Sequence, residues 1–142
     1  MTLDAGALIA LDRNDRGAWT ALRTARADGV EPVVPAPVLV EVWRGAEQAR
    51  LAQALRGCFI ESLDEALARA AGVLCGRAGT HDTVDAAVIA SASRRGGTVI
   101  TGDPVDLRTL AAHANDASLR IVPLGARSPL PHRGSRRRPR PG

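Results

Sequence analysis

Apolar positions along the chain fall into two alternating kinds of segment, punctuated by Asp, Gly and Pro. The first kind is a short contiguous run: 2–4 ending at Asp4, Val33 and Val34 between Pro32 and Pro35, 58–63, 98–101 and 119–124. Each predicts a strand. The second kind spaces its apolar residues at helical intervals, as in Trp19 and Leu22, and predicts helices over 5–12, 15–28, 37–44, 47–56, 65–78, 83–95 and from Pro104 to about Ala114. Asp64 and Asp82 are suited to cap the helices they precede, and Gly29, Gly57 and the Gly96–Gly97 pair to end theirs. Strands that read as unbroken apolar runs are buried on both faces, so the pattern predicts an α/β three-layer sandwich with a mostly parallel central sheet flanked by helices.

Composition changes this picture in two ways. All nineteen basic residues are Arg and none is Lys. A P-loop, a Schiff-base lysine and a receiver-type phosphoacceptor pocket are thereby excluded. The charge is also divided: residues 1–124 hold thirteen Arg against all fifteen acids, a net of −2, and 125–142 hold six Arg and no acid. The body is mildly acidic, and the high pI belongs to a Pro-, Gly- and Arg-rich tail for which no fixed structure is expected. Cys58 and Cys75 stand at no metal-binding spacing and are expected to be buried thiols. The first residues lack the basic start of a secretory signal, and no apolar stretch approaches membrane-spanning length, so a cytoplasmic location without membrane contact is expected.

Five acids occupy positions where chemistry gathers. Asp4 and Asp103 each follow a strand, where ligands of an open α/β sheet collect. Asp82 and Asp85 share a face at the start of one helix. Glu41 interrupts an apolar stretch, where a charge is costly unless it is paired, metal-bound or turned to solvent beside Arg44. Singly, each has an ordinary alternative as a turn residue, helix cap or first-turn acid. Jointly they form an ordered pattern.

With LDAGALIAL at 3–11, PVLVEVWRG at 37–45, DTVDAAVIASA at 82–92 and VITGDPVDL at 99–107, the chain resembles the PIN-domain ribonucleases, most of all the VapC toxins of bacterial toxin–antitoxin pairs. The resemblance spans 1–124. It implies a parallel sheet with carboxylates gathered at one end to bind Mg2+ or Mn2+, cleavage of RNA, a homodimer and a cognate antitoxin. Residue by residue, Asp4, Glu41, Asp85 and Asp103 match the catalytic, metal-binding acids, with Asp82 an extra metal ligand. Thr101 matches the hydroxyl of the last motif and Asp106 a supporting acid. Gly6 departs from the pattern, standing where many relatives carry Ser or Thr, and the first strand is short for the family, which suggests either a late start or a truncated strand.

The chemistry agrees with the resemblance. Hard oxygen ligands select Mg2+ or Mn2+. Such ions activate water and neutralise a phosphodiester without a His or Lys base. His81 reads as a loop residue, and His113 and His132 as uninvolved. With three aromatics, base stacking is not expected to dominate, which leaves phosphate contacts from Arg13, Arg16, Arg44, Arg94 or Arg95, or from the tail through Arg136–Arg138 and Arg140. Leu8, Val38, Trp43, Leu51 and Leu55 are candidate antitoxin-facing residues, or else core. A non-catalytic RNA- or partner-binding module and a DNA-directed nuclease are the competing readings.

Overall fold

The computed structural model describes residues 1–125. The tail expected from 125 onward lies outside them, apart from Gly125. Five parallel strands form one sheet in the order β3-β2-β1-β4-β5. They are β1 (Thr2–Leu3), β2 (Val33–Pro35), β3 (Phe59–Glu61), β4 (Thr98–Thr101) and β5 (Arg120–Pro123). Seven helices connect them: α1 (Ala5–Asp12), α2 (Arg16–Ala27), α3 (Ala36–Val42), α4 (Ala49–Arg56), α5 (Glu65–Ala78), α6 (Thr83–Arg94) and α7 (Pro104–Ala112). Helix α1 packs against α2, α3 and α4, and α5, α6 and α7 pack against one another, the grouping that right-handed crossovers in this strand order produce. This is the α/β three-layer architecture that the segment pattern predicts, with an entirely parallel sheet.

Local chemistry explains the boundaries. Asp4, Asp15, Asp64 and Asp82 each accept a hydrogen bond from a backbone N–H three residues on, starting α1, α2, α5 and α6. Helix α3 ends at Val42 rather than residue 44. Trp43 is extended, and the Arg44 guanidinium folds back onto the carbonyls of Val40, Glu41 and Trp43. Arg44 therefore pairs with the Glu41 backbone and not with its carboxylate.

The core runs along both faces of β1, β2 and β4. Leu8, Leu11, Leu22, Val34, Val38, Leu51, Val88, Ile89 and Val99 are essentially inaccessible. Each such side chain contributes about 1.5–3 kcal/mol by leaving water. Leu8, Val38 and Leu51 are thus core residues and not partner-facing ones. Trp19 is also core, its indole N–H donating to the Leu11 carbonyl at 3.0 Å. Trp43 is exposed and borders a shallow apolar groove with Leu39, Val40 and Leu55. The two thiols are half-buried rather than buried. Among the described residues no helix is long and apolar enough to cross a membrane.

β1 is only two residues long and lies between β2 and β4. Its shortness costs no order, because both residues are buried, Thr2 is paired with Val33 of β2 and Val99 of β4, and Leu3 with Ile100 of β4. The strand delivers Asp4 to the carboxyl edge of the sheet beside the end of β4.

Candidate active site

Asp4 is the most constrained acid of the group. It is 4% exposed, and its two oxygens have different partners. Oδ1 accepts from the Ala7 N–H at 2.7 Å, and Oδ2 accepts from the Thr101 hydroxyl at 2.5 Å. Thr101 Oγ1 in turn accepts from the Asp103 N–H at 2.8 Å. One threonine therefore ties the acid after β1 to the backbone of the acid after β4. Asp103 precedes Pro104, and its carboxylate makes no capping bond, so it is unspent.

The close approach of these two turns depends on Gly6. A Cβ at position 6 would lie 2.9 Å from the Gly102 Cα and amide nitrogen. Gly6 is a packing requirement as well as a missing hydroxyl. Any larger residue there must push the β4–α7 turn away from Asp4.

α6 presents Asp82 and Asp85 from its first turn. The Asp82 carboxylate accepts from the Asp85 N–H at 3.2 Å, so the capping role and the site position coexist. Contact between α3 and α6 brings Glu41 to the same end. Asp4, Glu41, Asp82, Asp85, Asp103 and Asp106 all line one open cavity of about 460 Å³, together with Gly6, Ile9, Arg13 and Gly102. Every acid singled out in the sequence reaches it. Asp82, Asp85 and Asp106 also border a smaller adjoining cavity of about 210 Å³.

The electrostatics follow from this crowding. Asp85 is pushed up to about 7, first by burial, then by its contact with Asp82 and by the charges of Asp82, Asp4 and Glu41. Burial raises Asp4 against the lowering effect of its hydrogen bonds. Partial burial and the charges of Asp82 and Asp4 raise Glu41. No acid of the group forms an ion pair among the described residues. Nor do three His, Cys, Asp or Glu side chains there converge closely enough to form a preassembled cage. Like charges at this density repel, and the carboxylates ring the cavity wall. A donor set of carboxylate oxygens with no ion pair among the described residues fits a hard divalent ion.

Two features escaped the sequence. The Gly6–Gly102 contact joins residues far apart in the chain, and no local signal announces it. Ile9 lines the cavity and is part-exposed. Its spacing could have shown this, since Leu8 and Leu11 share a helix face that Ile9 does not. His81 is exposed and outside the cavity lining.

A PIN-domain family model matches residues 1–112. The chain belongs to the PIN-domain family. Members are in general nucleases that use divalent metal ions. Among solved structures, this PIN domain is similar to the crystal structure of VapBC2 from Rickettsia felis bound to a DNA fragment from their promoter. The TM-score is 0.65 at 13% identity, over 86% of this chain and 96% of that one. At such identity the likeness is one of fold. No curated protein matches the sequence.

Proposed function

We propose that this PIN domain, over residues 1–124, is a metal-dependent endoribonuclease and the toxin of a VapC-type toxin–antitoxin pair. The supporting observation is the convergence of Asp4, Glu41, Asp82, Asp85 and Asp103 on one cavity with no ion pair to any of them among the described residues. In this reading those five hold Mg2+ or Mn2+, and Asp4, Glu41, Asp85 and Asp103 are the catalytic set. Bound there, the metal supplies an activated water and charge neutralisation for the phosphodiester.

The protein's own contribution is placement. Thr101 fixes the Asp4 carboxylate and the Asp103 backbone against each other. The Asp82 cap sets the first turn of α6, and with it Asp85. Gly6 and Gly102 let the two turns meet. Asp106, on the first turn of α7, adds negative charge at the rim.

The groove of Leu39, Val40, Trp43 and Leu55 is the surface offered to an antitoxin. It replaces the core residues Leu8, Val38 and Leu51 in that role. The solved neighbour is the VapBC2 complex, which favours such a partner. A homodimer is part of the same proposal, as is a place in the cytoplasm.

The test is incubation of the full chain with total RNA, with Mg2+ or Mn2+ and then with EDTA, beside Asp4→Asn and Asp103→Asn. Discrete fragments requiring metal and both acids are expected. Cleavage of matched DNA in preference to RNA would replace the substrate class. Absence of both cleavage and metal binding would replace the enzyme with a binding module.

A further inference from the structure

A ring of carboxylates repels the substrate just assigned to it, because an RNA strand carries a negative charge at every phosphate. The phosphates flanking the bond to be cut call for a cation of the protein beside the cavity. Five body arginines were candidates, and the structure separates them. Arg44 is committed to three carbonyls at the end of α3. Arg94 and Arg95 pair with Glu61 at the opposite end of α6 from Asp85, and Arg95 also lies over the Phe59 ring. Arg16 lines a different, apolar cavity between α2 and strands β4 and β5. Arg13 alone of the five lines the carboxylate cavity.

Its head group is unspent. Six acids line the same cavity, yet the Arg13 guanidinium makes no ion pair or hydrogen bond among the described residues. Its backbone, by contrast, is fixed. The Arg13 N–H donates to the Ile9 carbonyl at 3.0 Å, Asn14 turns with φ 61°, and Asp15 at once caps α2. Ile9, one turn earlier on the same helix face, gives the cavity an apolar patch beside Arg13. A guanidinium keeps its charge at any working pH, and its forked N–H groups match two oxygens of one phosphate.

We infer that Arg13 is a positioning residue for the RNA strand: its guanidinium holds a phosphate flanking the bond to be cut, with the adjoining sugar against Ile9. The inference rests on the nuclease reading but is tested separately from it. The contact exists before reaction as much as during it, so it acts on substrate binding rather than on turnover.

The full-length chain is compared with its Arg13→Ala, Arg13→Lys and Arg16→Ala variants in two assays. The first is binding of a short fluorescein-labelled single-stranded RNA across a salt series, with Ca2+ in place of Mg2+. Arg13→Ala is expected to weaken binding about tenfold and to flatten the slope of log affinity against log salt by about 0.7. Arg13→Lys restores the slope and part of the affinity, and Arg16→Ala changes neither. The second assay is steady-state cleavage of an RNA that the wild type cuts, where Arg13→Ala raises KM about tenfold with kcat within about twofold. An unchanged salt slope, or a loss confined to kcat, overturns the inference. So does unchanged RNA binding with a lowered melting temperature in EDTA, which would make Arg13 a counter-charge for the acids. A wild type that binds RNA with an Arg13-dependent slope and cuts nothing overturns the nuclease reading alone. A wild type that binds no RNA overturns both.

Discussion

Asp4 and Glu61 are two acids of nearly equal burial, 4% and 5% exposed, and each accepts a hydroxyl hydrogen bond, from Thr101 and Ser91 respectively. Beyond that first bond their surroundings diverge. Glu61, at the end of β3, has Arg94 at 3.3 Å and Arg95 at 3.4 Å. Asp4, at the end of β1, has Asp103, Glu41 and Asp85 as its charged neighbours. The first arrangement is satisfied by hydroxyl and guanidinium partners among the described residues and joins an edge strand to the end of α6. The second has no cation paired to it among the described residues and retains an attraction for something positive. Burial does not distinguish these two acids; charge balance does, and it is charge imbalance that marks a candidate site.

Exchanging the properties of the two clusters tests that distinction. The largest effect is expected from Asp85→Asn, which should lower metal-dependent cleavage at least about 100-fold while leaving the fold intact. Glu61→Gln should leave cleavage per folded molecule unchanged. Next is Glu61→Ala, which strands the buried Ser91 hydroxyl. Because Arg94 and Arg95 can turn to solvent, the cost should be about 2 kcal/mol rather than that of a fully buried pair, read from urea unfolding. Gly6→Ala should destabilise by about 1 kcal/mol or more, since the added Cβ meets backbone, and should weaken metal binding in calorimetry.

The smallest effect concerns pH. Folding raises Asp85 to about 7, so the folded state favours its protonated form. Its contribution to stability is fully present below the ordinary carboxylate value and is lost as pH rises through about 7. In EDTA, the melting temperature of the wild type should fall relative to Asp85→Asn between pH 5 and 8. Mg2+ should narrow that gap. A gap independent of pH would show that Asp85 is not crowded by like charge.

Much of this contrast was legible in the sequence. Asp4, Asp82, Asp85 and Asp103 are marked by strand ends and helix starts, which local propensity reveals. The order of alternating segments gives the layers, because contiguous apolar strands need cover on both faces. The surface proposed for a partner was not legible in the same way. Leu8, Val38 and Leu51 are as apolar as Leu39, Val40 and Leu55, and only tertiary packing decides which set is covered. The structural role of Gly6 depended on a residue nearly the whole domain away. Glu61 gave no sign of its partners for the same reason.

The central position of β1 has a consequence for the timing of synthesis. The first strand made has one of its two sheet partners, β4, near the end of the domain, and Asp4 awaits a hydroxyl 97 residues later. Chains lengthen at about 5–20 residues per second. For seconds, then, a growing polypeptide carries its first acid with nothing to set it against. Every product that stops before β4 lacks Thr101 and Asp103 outright. The carboxylate cluster is therefore completed only with the late elements of the fold, and unfinished copies lack two of the groups that form it.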